Sequence, residues 1–206
     1  MNLKADEILL YLEEGHKSGT KDPLVITPYP DLNKLKDSGL AAIDLRLGTW
    51  FVTLRPARMP YIGIGDSGIQ SQLSKTHYVP FGGAYYLHPR TFVLGITLQW
   101  LRLPKNLTAF VIGKSSWGRR GLIIATATGV HPGFMGCLTL ELTNVGEIPI
   151  EIKPGMEICQ IFIQEVHETG AACVESQFGG ARKPMFGEVR LDDIAKKLGG
   201  GKLGQI

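Results

Sequence analysis

At 206 residues, 44% of them hydrophobic and 20% charged, the chain fits a single globular domain of ordinary composition, and a net charge of +3 is too small to argue for a nucleic-acid partner. The 26 glycines and 12 prolines favour short strands and tight turns over a helical bundle. The start is acidic (Asp6, Glu7, Glu13, Glu14), and no apolar run approaches the roughly 18 residues of a membrane span, so a cytoplasmic protein without a membrane partner is expected.

Residues 5–14 read as an amphipathic helix with Ile8, Leu9 and Leu12 on one face and Gly15 in the position of a C-terminal cap. Pro23, Pro28 and Pro30 break up the stretch that follows. AAIDLRLG (41–48) alternates as a strand, which sets Asp44 and Arg46 on one face as a local ion pair. Strands are then expected at 85–89, 91–104, 107–113 and 121–127, all rich in β-branched and aromatic residues. GCLTLELTN (136–144) alternates cleanly, with Leu138, Leu140 and Leu142 on one face and Thr139, Glu141 and Thr143 on the other. Residues 148–163 read as two strands around a type II turn at Lys153-Pro154-Gly155-Met156. The Gly- and Lys-rich end, from about 176 to 206, reads as a mobile arm with a short helix near 191–198. One all-β domain over 1–206 follows, a distorted barrel or jelly-roll-like sandwich with a short N-terminal helix.

The three cysteines, Cys137, Cys159 and Cys173, form no C-x-x-C pair, and the first two sit in apolar strands as buried, reduced thiols. Neither H-x-E nor P-C-x-x-C occurs, so zinc-activated water is not expected and no metal ligand is assigned. Chemistry concentrates between Lys114 and Glu141. Glu141 shares its strand face with two threonines and is either a solvated glutamate or a group that both takes and gives a proton. Ser115 and Ser116 follow Lys114 at a strand end, where hydroxyls and backbone N–H groups can hold a water or a phosphate oxygen. Arg119 and Arg120 supply forked donors for oxyanions, and Trp117 between them either stacks on a base or covers core. His131, in the tight turn HPGF (131–134), is a polar surface group or a base, and Gly133 lets backbone approach a ligand.

In order and spacing, ADEILLYLEEG, AIDLRLG, YYLHP, KSSWGRRGL, TATGVHPGF and LTLELTNVGEIPIEIKPGMEICQ resemble the dCTP deaminase branch of the dUTPase-like superfamily. The resemblance implies a dUTPase-type fold and a homotrimer with active sites shared between subunits. It also implies zinc-free hydrolysis of dCTP to dUTP and ammonia, with Mg²⁺ carried on the triphosphate. By motif, Glu141 is the proton-transfer carboxylate, Ser115 and the Ala127 carbonyl hold the attacking water, and Arg119 lies beside glutamate and pyrimidine. Lys114, Ser116, Val130, His131, Phe134, Gln160, Phe178 and Lys183 match substrate-binding positions. Three positions depart from the pattern: Lys114 stands for the usual Arg, His131 for the usual turn Asp, and FGGARKPMFG for a Tyr-bearing lid. Two alternatives remain, a dUTPase-type pyrophosphatase and a nucleotide-binding regulatory trimer without turnover.

Overall fold

The computed structural model describes residues 2–15, 17, 19–31, 35, 40–55, 62–63, 73–126, 129–167, 176–188 and 190–198. They form two compact units, Met1–Thr53 with Thr76–Met185, and Leu54–Lys75 with Phe186–Ile206. In the second unit, helix Asp193–Leu198 is capped by the Asp192 carboxylate, which accepts from the Ala195 N–H at 2.7 Å.

The chain order is α1 (Ala5–Gly15), β1 (Val25–Thr27), β2 (Ile43–Arg46), β3 (Trp50–Leu54), β4 (Ser74–Tyr78), β5 (Tyr85–Leu87), β6 (Phe92–Arg102), β7 (Leu107–Gly113), α2 (Ser115–Gly118), β8 (Leu122–Ile124), β9 (Gly129–Val130), β10 (Met135–Asn144), β11 (Ile150–Ile152), β12 (Glu157–Glu165) and α3 (Asp193–Leu198). The expected all-β class with an N-terminal helix is what forms. Its strands lie in three sheets: β4-β3-β6-β10-β8 with β1 also on β6, then β2-β12-β7-β9, then β11-β5.

Helix α1 buries the expected Ile8, Leu9 and Leu12. Gly15 ends it by close approach, since a Cβ there would sit 2.7 Å from the Leu24 carbonyl oxygen. β6 is buried almost continuously from Val93 to Leu101, with β10 paired along one edge and β1 and β3 sharing the other. On β10 the alternation holds from Leu138 onward, but Cys137 and Leu138 are both buried. A bulge between Cys137 and Thr139 explains this, and the displaced Leu138 N–H donates to the buried Thr97 hydroxyl at 2.9 Å. The turn after β11 matches the type II reading: Gly155 has φ +90°, and Met156 N–H donates to Lys153 O at 3.2 Å. Of the segment expected as a strand at 121–127, Leu122–Ile124 form β8 against β10, and residue 127 lies outside the described residues. One apolar cluster joins α1 to the inner faces of β2, β6, β7, β10 and β12.

Cys137 and Cys159 are free and buried, as expected; Cys173 lies outside the described residues. Burial, with the Asp44 charge adding to it, pushes the Cys159 thiol from an ordinary 9.0 up to about 12. A raised acid contributes stability that is complete below its unfolded value and lost as pH climbs toward its folded value. The unfolding free energy will therefore fall between about pH 9 and 11, by at most about 1.4 kcal/mol per pH unit from this thiol. Urea midpoints across that range will check it, with a shallower decline in Cys159→Ala.

Candidate active site

The site is assembled around one turn of helix. β7 ends at Gly113 and the chain folds at once into α2, whose Arg119 N–H donates to Ser115 O at 3.0 Å and whose Arg120 N–H donates to Trp117 O at 2.9 Å. Gly121, at φ +90°, closes the turn where a side chain would strike the Gly146 nitrogen at 2.9 Å. The chain then runs back along β10, with Ile124 opposite Leu142. A Cβ on Gly113 would lie 3.4 Å from the Ile124 Cβ, so the end of β7, β8 and β10 are adjacent.

This sets the serine turn against β8, the strand that pairs with β10 one residue beyond Glu141. Glu141 is half-buried, paired through its backbone with Leu94 of β6. On its other side its carbonyl accepts from Ala125 N–H at 2.9 Å, and its N–H donates to the Thr126 hydroxyl at 3.3 Å. Its side chain emerges on the threonine face while Leu140 and Leu142 are fully buried behind it. Ala127, expected to hold the water with Ser115, lies outside the described residues.

The two arginines differ. Arg120 donates to Ser116 O at 2.7 Å and stands 5.7 Å from the Trp117 ring centre. Arg119 is exposed, and among the described residues its guanidinium has no ion pair or hydrogen bond. Trp117 is settled as core cover: it packs on the apolar cluster, and its indole donates to Glu157 O at 3.1 Å.

The local Asp44–Arg46 pair expected from spacing does not form. Lys114 Nζ reaches Asp44 Oδ1 at 2.9 Å and Glu157 Oε2 at 2.9 Å, Gln160 donates to Asp44 at 3.0 Å, and Arg46 pairs with Glu157 Oε1 at 3.1 Å. Adjacent strands carry complementary charges, and cross-strand partners were closer than residues two apart on one strand. Burial draws the Lys114 ammonium down, but hydrogen bonds and attraction to Glu157 and Asp44 outweigh it and hold its pKa above the ordinary lysine value. Glu157, the partner that ties this cluster together, carried no sequence signal beyond a charge at the start of an apolar strand.

The remaining expected residues lie elsewhere in this chain. Val130, His131 and Phe134 belong to the turn before β10, where Gly133 has φ +77° and Phe134 N–H donates to His131 O at 3.1 Å. His131 is exposed, while Val130 and Phe134 are 4% and 8% exposed and join the core. Glu141 stands six residues into β10, so about 20 Å of extended strand separates it from this turn. Phe178 packs on the core and Lys183 Nζ lies 4.1 Å from the Trp50 ring centre, on a segment that runs beside the same end of β10. There Gly180 N–H donates to Met135 O at 2.7 Å, and Cys137 N–H donates to Ala181 O at 2.9 Å. One chain thus holds the expected residues in two separate groups: Lys114, Ser115, Ser116, Arg119, Glu141 and Gln160 in the first, the 130–134 turn with Phe178 and Lys183 in the second.

No helix among the described residues is long and apolar enough to cross a membrane, and among them no cluster of three or more His, Cys, Asp or Glu stands ready for a metal ion. The half-buried Glu141 carboxylate on β10 and the exposed hydroxyls and guanidinium of the serine turn are groups suited to acid–base handling of a polar small molecule on an all-β scaffold. Comparison with known proteins places the chain more narrowly. Residues 9–166 match the family described as dCTP deaminase-like. The "dCTP deaminase, dUMP-forming" of Methanobrevibacter smithii is 34% identical over 197 residues, covering 91% of this chain and 94% of that one. Its counterpart in Dictyoglomus thermophilum is 40% identical over 162 residues, 78% of each chain. The crystal structure of the 2'-deoxycytidine 5'-triphosphate deaminase from Agrobacterium tumefaciens superposes with a TM-score of 0.58 at 20% identity, over 79% of this chain; the match spans 46% of the other. The chain belongs to the dCTP deaminase-like family.

Proposed function

We propose that this chain hydrolyses the exocyclic amine of dCTP, giving dUTP and ammonia, with Glu141 moving the protons. The observation that carries the reading is the placement of Glu141: half-buried, its backbone fixed on both sides, on the strand that β8 links to the serine turn. Water adds to C4 of the cytosine while Glu141 takes its proton; that proton passes to N3, the second hydroxyl proton goes to the amine, and ammonia leaves as the carbonyl forms. The Ser115 hydroxyl orients the water, with the Ala127 carbonyl as its proposed partner. Arg119, its charge without a partner among the described residues, faces the pyrimidine oxygen where negative charge builds. The Ser116 hydroxyl meets phosphate oxygens, and Mg²⁺ arrives on the triphosphate as part of the substrate.

The separation of the two groups supports a homotrimer in which the 130–134 turn, Phe178 and Lys183 of one subunit complete the Glu141 side of another. Gln160 reaches this site through Asp44. Reduced, buried Cys137 and Cys159 accord with a cytoplasmic setting.

The names of the two relatives favour a further step, in which dUTP loses pyrophosphate to become dUMP. His131 holds the turn position where the family resemblance leads one to expect aspartate. Incubation with dCTP and Mg²⁺, with ammonia and pyrophosphate followed separately, decides: ammonia alone fits dUTP as product, equal yields fit dUMP, and no ammonia overturns the reading. In the same assay Arg119→Ala will weaken binding and lower kcat, each by about tenfold or more. Arg120→Ala will change either by less than about threefold, its guanidinium being spent on Ser116 O and Trp117.

A further inference from the structure

Resting on that reading of the serine turn, we propose that Glu157 and Asp44 are positioning residues that hold α2 in place through Lys114. A four-residue helix cannot sustain itself, and the N-cap residue Lys114 makes no side-chain capping bond. β12 supplies the missing anchorage at both ends of the turn. Lys114 N–H donates to Ile158 O at 3.2 Å, and the Trp117 indole to Glu157 O at 3.1 Å. The Lys114 ammonium closes the clamp between Asp44 and Glu157, each 2.9 Å away. The three side chains are only 22%, 14% and 25% exposed, so water and salt screen these pairs weakly. Arg46, donating to Gly155 O at 2.8 Å, takes the other Glu157 oxygen, and Gln160 steadies Asp44.

An ammonium set between two carboxylates offers little net charge to a triphosphate. Lys114 therefore acts inward, fixing where Ser115, Ser116 and Arg119 stand.

The test compares Glu157→Gln, Asp44→Asn, Lys114→Met and the Glu157→Gln/Lys114→Met double variant in the full chain. Turnover of dCTP is read against its Kd, and the Trp117 indole N–H resonance, assigned with Trp117→Phe, is read by NMR. Each single change lowers kcat about tenfold with Kd altered less than about threefold, and shifts the resonance. The double variant is no worse than the worse single one, because both members serve one clamp. A Lys114→Met variant that weakens dCTP binding tenfold or more while Glu157→Gln leaves binding and kcat unchanged makes Lys114 a phosphate ligand and overturns the proposal. So do additive losses, or an unmoved Trp117 resonance. A native protein that releases no ammonia removes the catalytic reading separately, since the resonance still reports the clamp.

Discussion

Glu141→Gln releases ammonia from dCTP about 10³-fold more slowly than the native chain and binds dCTP within about threefold of it. The amide keeps the shape of the side chain, and both backbone bonds of residue 141, to Ala125 and Thr126, survive it. The strand therefore stays in register against Leu94, and the loss falls on proton transfer alone. In the proposed reading binding rests on the serine turn and Arg119, which the substitution does not touch. Single-turnover ammonia release beside equilibrium dCTP binding makes the comparison. Near-native turnover in this variant would mean that another group carries the protons.

Asn144→Ala costs about 3 kcal/mol of folding free energy or more. Asn144 is fully buried at the end of β10, and its amide donates to Leu87 O at 2.9 Å and Ile148 O at 2.8 Å while its carbonyl accepts from Gly146 N–H at 2.8 Å. It fastens the end of β5 and the 144–148 turn to the strand that bears Glu141. Each hydrogen bond contributes on the order of 1 kcal/mol, and the two carbonyls and the N–H left without partners add a desolvation cost. Urea unfolding of the two proteins at neutral pH gives the difference. A loss below about 1 kcal/mol would show that water replaces the amide.

The fold was legible where a pattern is local. Alternation in 136–144, the long apolar run of 91–104 and the Pro-Gly turn at 154–155 each met their counterparts, because strand period and turn chemistry are written within a few residues. What β12 pairs with was not written locally. Its neighbours are β2, over a hundred residues earlier, and β7, and that pairing carries Asp44 and Glu157 to Lys114. Asn144 reads from sequence as a strand-ending turn residue, and only the surrounding carbonyls make it a buried pin. The candidate site was legible in its residue types but not in its geometry. His131 and Glu141 are ten positions apart, a short interval in a helix but a long one on an extended strand. For that reason a cluster that looks continuous in the sequence divides into two in the folded chain.

The segment that follows residue 175 has a consequence unrelated to nucleotides. Hydrogen bonds from Gly180 and to Ala181 occupy the flank of the ribbon at Met135 and Cys137, where a bare row of amides would invite any passing extended peptide. By lying there residues 180 and 181 occupy backbone groups through which that flank would otherwise be open to an added strand.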